Sequence, residues 1–160
     1  MLAMGGPMTS RRMLDDDLGF LMARASVVLS KETNRAIAPL GLKVRGYSAL
    51  AAVCDEPDGI TQRRLATVVG LDPSQIVALV DDLEDRKLVQ RTTDINDRRN
   101  KLIVATEAGA ELCDEARRRS AAVTAEYVAG TDAGDVAAAR ELLRRIAFSG
   151  VDGRAGKHRP

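Results

Sequence analysis

The chain has 160 residues, enough for one domain to bury a core without disulfides or metals. It is rich in Ala, Leu, Val, Arg and Asp, has no Trp, and is 29% charged but only 2% aromatic, which favours helices around an aliphatic core. A formal net charge of +1 excludes a strong whole-molecule field, so any attraction to a polyanion must come from a local patch.

Cys54 and Cys113 are far apart in sequence and form no CxxC pair, which excludes a disulfide framework and points to a reduced, cytoplasmic protein. No apolar run approaches the length of a membrane span, so no membrane partner is expected. Residues 1–14 lack the long apolar core of a signal peptide. That arm and the Gly-rich, basic residues 149–160 are expected to be disordered. The only histidine, His158, falls in this tail, so no histidine-based catalytic or metal site is expected, and no cofactor. The carboxylates follow one another on helical surfaces instead of converging, which speaks against an enzyme.

Over residues 15–38 apolar side chains recur at helical spacing, with acidic Asp15 to Asp17 at the positive helix end. Pro39 and Gly41 close this helix. A second helix is predicted over residues 44–55, stopped by "EPDG". Two short helices follow. The first has Thr61 as N-cap and Gly70 as its stop; the second has Asp72 as N-cap and Pro73 at its first position. Two short helices joined by a tight turn make a helix-turn-helix, whose second member enters a DNA major groove in proteins that use it so. The β-prone segments "KLVQRTT" and "NKLIVAT" then flank a charged turn, which predicts a β-hairpin. Helices over residues 107–129 and about 133–148 complete the chain. The fold class is all-α with a small β-hairpin wing, a winged helix-turn-helix core flanked by helices.

On the second short helix, Ser74, Gln75, Val77, Ala78, Asp81, Asp82 and Asp85 face away from the Ile76, Leu79, Val80 and Leu83 stripe. Ser74 and Gln75 sit where hydrogen bonds to bases or phosphates form, and Ala78 or Val77 where a thymine methyl is met. The acidic residues Asp81, Asp82, Glu84 and Asp85 are expected to point away from DNA or to pair with arginines. The hairpin carries Arg91, Arg98, Arg99 and Lys101, a basic patch on a nearly neutral chain. Such a tip suits a minor groove, with Asp97 expected to hold a guanidinium in an extended pose. Arg63 and Arg64 are candidate phosphate contacts, and Thr61 lies beside them. The plainer alternative is a solvated turn of mixed charge.

The stretch "ITQRRLATVVGLDPSQIVALVDDLEDRKLVQRTTDINDRRNKLIVATEAG" resembles the winged-helix core of the MarR (multiple antibiotic resistance regulator) family. The likeness rests on the "GLD" turn, "LVDDLEDRKLV", the D-x-x-D-R-R wing and the L-x-x-x-T-x-x-G after it. It implies a homodimeric regulator that binds double-stranded DNA, most commonly as a repressor. Carried over, Asp97 and Arg99 match the wing tip, with Arg99 in the minor groove and Arg98 on the backbone, and Ser74 and Gln75 fall at base-reading positions. Lys87 stands where the family often has Gly, and Ala78 where it often has Arg.

The resemblance further implies that residues 15–42 and 107–148 form dimerisation helices around a DNA-binding lobe at residues 43–106. The apolar Leu14, Leu18, Leu21, Leu142, Leu143 and Ile146 suit the dimer contact. A two-fold dimer reads a pseudo-palindrome with half-sites roughly 10 bp apart. Relatives often bind a small aromatic or phenolic effector between helices and lobe, a cleft that Met22, Arg24, Tyr47, Ala51 and Leu112 would line here. Two alternatives stand beside this reading: redox sensing through Cys54 or Cys113, and a winged helix used for protein contact alone.

Overall fold

The computed structural model of the chain describes residues 13–149; the N-terminal arm before Met13 and the basic tail with His158 lie outside the described residues. Met13–Asp15, partly inside the expected arm, form a 3-10 turn. Helix α1 (Leu18–Ile37) starts three residues after the predicted position because Asp17 caps it, its Oδ1 accepting from Phe20 N at 2.8 Å. A second 3-10 turn, Ala38–Leu40, carries Pro39 and ends on Gly41 in the left-handed region at φ 68°. Helix α2 (Val44–Cys54) follows, its first N–H taken by Asn34 Oδ1 at 2.8 Å.

Strand β1 (Ile60–Thr61) leads into α3 (Gln62–Val69), capped by Thr61 Oγ1 on Arg64 N at 3.2 Å and ended by Gly70 at φ 71°. In α4 (Pro73–Asp85) proline occupies the first position, and Gln75 Oε1 reaches back to accept from Asp72 N at 3.2 Å. Beyond α4 the chain turns sharply through Lys87 at φ 59°, while Leu88 N donates to Leu83 O at 2.9 Å. This is a Schellman-type stop, a place where glycine is relaxed and lysine is strained.

The predicted hairpin is present as β2 (Val89–Thr93) and β3 (Lys101–Ala105), but the sheet has three strands in the order β1-β3-β2, all antiparallel. Ile60 lies opposite Ile103 on one side of β3, and Arg91 opposite Ile103 on the other. Two residues of β1 carry too little periodicity to be read locally.

The T-x-x-G motif docks the next helix, α5 (Glu107–Val128). Thr106 Oγ1 accepts from Gly109 N at 3.0 Å and donates to Lys87 O at 2.7 Å and Leu88 O at 3.2 Å. Gly109 rides so close to Leu88 that a Cβ there would meet its carbonyl oxygen at 1.9 Å. Helix α6 (Ala133–Ala147) ends the described chain and buries none of its residues.

The core is aliphatic and lies where α2, α3, α4, the sheet and α5 come together. Leu50 and Val53 of α2, Leu65 of α3, Ile76, Val80 and Leu83 of α4, Val89 and Ile103 of the sheet, and Cys113 and Ala116 of α5 are all buried. By contrast Leu14 on the first 3-10 turn, Leu18 and Leu21 on α1, and Leu143 and Ile146 on α6 remain exposed. No helix among the described residues is long and apolar enough to cross a membrane.

Candidate nucleic-acid interface and adjoining cavities

Helix α3 packs on α4, and α4 packs on β2 of the wing. On α4, Ser74, Gln75, Val77 and Ala78 are exposed, while Ile76 and Val80 behind them are buried. Gln75 shares a shallow cleft with Arg63, Thr67 and Gly70 of the preceding helix and its end. Its side-chain oxygen is held by the helix start, so its NH2 is the end left to donate to a base or phosphate acceptor. Thr61 is half-buried and spends its hydroxyl on the α3 cap, and Arg64 pairs with Glu56 at 3.5 Å.

The wing differs from the expected basic patch in two respects. Arg91 is not one of its free cations. Its guanidinium is clamped between Asp81, at 2.6 Å, and Glu84, which also accepts from Arg91 N at 3.1 Å. These bonds, led by the one to Asp81, push its pKa further up and keep it charged. The acidic run on α4 is thereby partly neutralised from inside the molecule, with Asp82 lying 3.8 Å from Arg86.

Asp97, expected to hold a guanidinium, holds the main chain instead. Its Oδ1 accepts from Arg99 N at 3.0 Å and its Oδ2 from Asn100 Nδ2 at 3.2 Å. Asp94 does the same on the other limb, accepting from Asn96 N at 2.8 Å. Lys101 is anchored across the strands on Thr93 Oγ1 at 2.9 Å. Among the described residues Arg63, Arg98 and Arg99 are exposed and carry no ion pair. The mobile charge of this face is therefore concentrated at the rigidly built wing tip and at the front of α3.

Behind the lobe, a cavity of about 680 Å³ opens between α1, α2, α5 and α6. Met22 and Tyr47 line it, together with Leu18, Leu21, Leu142 and Leu143. Arg24 points to solvent, and Ala51 and Leu112 are packed against the core, so these three are not part of that wall. Sequence reasoning missed what adjoins it. Ser30 also lines a groove of about 620 Å³ bordered by Lys43, Arg45 and Arg86, and another of about 970 Å³ bordered by Lys31, Arg35 and Lys43. The local clue was "LKVR" directly after the "PLG" turn. Arg86, at the end of α4, donates to Gly41 O at 2.9 Å and Leu40 O at 3.2 Å, so it bridges this groove and the helix whose other end faces outward.

Cys113 is buried and Cys54 half-buried. Burial first, and then its neighbour Cys113, push the Cys54 thiol up to about 12. At neutral pH it stays protonated and is a poor nucleophile.

A helix pair followed by a β-hairpin, on a three-stranded sheet against flanking helices, defines a winged helix-turn-helix protein. The sequence profile of the MarR family matches residues 40–100. CouR from Rhodococcus jostii RHA1, in a structure bound to p-coumaroyl-CoA, is 47% identical, over 86% of this chain and 96% of that one, with a TM-score of 0.80. A MarR-family transcriptional regulator from Rhodococcus sp. RHA1 is 46% identical over 87% of this chain and 98% of that one, with a TM-score of 0.80. A transcriptional repressor, CouR, bound to a 23-mer DNA duplex is 26% identical over 87% and 99%, with a TM-score of 0.75. The chain belongs to the MarR family.

Proposed function

We propose that this chain is a DNA-binding, ligand-responsive transcriptional regulator that acts in the cytoplasm as a homodimer, repressing until an effector releases it. The observation that carries the DNA reading is the wing tip. Arg98 and Arg99 stand exposed on a turn locked by two aspartates, beside the exposed start of α4. Arg99 is assigned to the minor groove, Arg98 and Arg63 to phosphates, and Ser74, Gln75 and Ala78 to the major groove. Arg91 is assigned no DNA contact, because its charge is already spent on Asp81 and Glu84. Thr61 and Lys101 act as supports for the elements that do make contact.

The dimer reading is supported by the apolar residues left uncovered on the first 3-10 turn, α1 and α6: Leu14, Leu18, Leu21, Leu143 and Ile146, with Leu142 half-buried beside them. Residues so placed cover their own core poorly and fit a second copy.

For the effector, CouR from Rhodococcus jostii supplies the ligand class, an aromatic acid joined to a nucleotide-bearing carrier. The apolar cavity between α1 and α6, adjoining grooves edged by Lys31, Lys43, Arg45 and Arg86, suits a ligand with an apolar end and a polyanionic end. Leu79 and Asp82 of α4, and Arg86 just past its end, border the smaller groove, so an occupant touches the recognition helix directly. Binding then favours the spacing of lobes that accepts the effector over the one that accepts DNA.

The test is fluorescence anisotropy on the chain's own upstream intergenic DNA, across a salt series. A specific complex that weakens steeply with salt is expected. Arg99→Ala should weaken it by about 1 kcal/mol or more, and an aryl-CoA thioester should dissociate it where the free acid does not. Binding indifferent to Arg99→Ala refutes the wing assignment. The redox alternative has no such support, given the protonated Cys54.

A further inference from the structure

The exposed large apolar side chains fall into two groups. Most lie on α1, α5 and α6 or at their ends, Leu14, Leu18, Leu21, Leu143 and Ile146 among them on the face assigned to a second copy. Two do not: Val77 on the outer face of α4 and Ile95 at the tip of the wing. Ile95 is 94% exposed, more than any other large hydrophobic residue described.

Looseness does not account for this. Asp94 Oδ1 holds Asn96 N at 2.8 Å, Asp94 N donates to Asn100 O at 3.1 Å, and Asn100 N to Asp97 O at 2.9 Å. Ile95 therefore sits on a turn bonded on both sides. A turn of this kind draws on Asp and Asn; an isoleucine adds nothing to it, because β-branched side chains resist turn backbone and this one buries no surface in the fold. Its neighbours on the same turn are the unpaired arginines Arg98 and Arg99.

The surface that offers apolar walls between lines of negative charge is the minor groove of a duplex, where deoxyribose C–H groups face each other below the phosphates. Proteins that enter it combine Arg with an apolar residue such as Ile or Leu. We infer that Ile95 is a minor-groove contact residue, packed on the sugar walls while Arg98 and Arg99 take the phosphates and the groove floor; this rests on the proposed DNA-binding reading. Apolar contact releases no counterions. It therefore adds affinity that salt does not remove, and it favours sequences whose minor groove is free of the guanine amino group.

The probe is a duplex selected by the wild-type protein from a random-sequence pool, with binding followed by anisotropy across a salt series. Ile95→Ala should weaken binding by roughly tenfold, the order expected when most of an isoleucine side chain loses its burial, with the slope of log affinity against log salt unchanged. Arg99→Ala should instead make that slope shallower by about one unit. Replacing adenines under the wing by 2,6-diaminopurine adds an amino group to the minor groove only. Wild type should lose affinity on this duplex, and Ile95→Ala, whose Arg99 still meets the added group, should lose less. Thermal unfolding of Ile95→Ala should match wild type, since the side chain packs against nothing. Ile95→Ala within twofold of wild type, a changed salt slope, or losses that simply add each overturn the contact. Wild type that selects no duplex overturns the regulator reading, and the contact with it.

Discussion

Gly109→Ala sets two effects of opposite sign against each other. Within a helix, replacing Gly by Ala stabilises by roughly 1 kcal/mol. At Gly109 the added Cβ would lie 1.9 Å from the Leu88 carbonyl oxygen, 2.9 Å from its carbon and 3.3 Å from its Cα, where unbonded heavy atoms rest roughly 3.5–4.0 Å apart. That oxygen is not free to retreat. It accepts from Thr106 N at 3.0 Å and from Thr106 Oγ1 at 3.2 Å, while Leu88 N donates to Leu83 O at 2.9 Å and its side chain is buried. Overpacking costs about 1–3 kcal/mol, and each hydrogen bond lost here about 1 kcal/mol. With one such bond lost and the helix-propensity gain set against both costs, a net destabilisation of about 1–3 kcal/mol is expected. With no Trp in the chain, far-UV circular dichroism is the probe, in urea titrations at fixed protomer concentration. A midpoint at or above that of wild type refutes the steric argument.

Lys87→Gly should stabilise the protein by about 1 kcal/mol, the usual order of left-handed strain for a residue with a Cβ, in the same titration; an unchanged midpoint means φ 59° costs nothing here. Arg91→Ala should weaken operator binding roughly tenfold, because Asp81 and Glu84 are left uncompensated near the phosphates. Pairing it with Asp81→Asn and Glu84→Gln should recover most of the loss, and failure to do so assigns Arg91 a direct contact. Cys54 in the native protein should react slowly with a disulfide reagent at pH 8. Its thiol is raised from 9.0 to about 12, so the fold favours the protonated form, and that contribution to stability is complete below pH 9 and lost as pH rises toward 12. A thiol that reacts rapidly at pH 7 contradicts this.

Local chemistry was legible in the sequence. Thr61, Gly70, Asp72 and Pro73 each mark a helix end by what their own backbone or side chain does within three or four residues; α3 begins and ends, and α4 begins, where they say. What escaped were pairings over distance. The two residues of β1 become a strand only because β3 lies beside them. Arg91 looked like a free cation because its partners, Asp81 and Glu84, are ten and seven residues away, and only the folded turn after α4 brings them together. Asp97 was read as an ion-pair partner when the tight turn places main-chain N–H groups nearer to it. The cavity walls were mixed for the same reason: Ala51 and Leu112 share helical faces with wall residues yet point into the core.

The Arg91 clamp has a further consequence for the kind of operator this chain accepts. It fastens β2 to α4, so the wing and the helix beside it share no joint. On the proposed DNA reading, the number of base pairs between a contact of the helix and a contact of the wing is thus set by the protein, like the distance between two teeth of a key. An operator can drift in sequence at either position and lose affinity gradually. Inserting a single base pair between them should instead abolish one contact outright. Spacing between the helix contact and the wing contact is then the stricter part of the code.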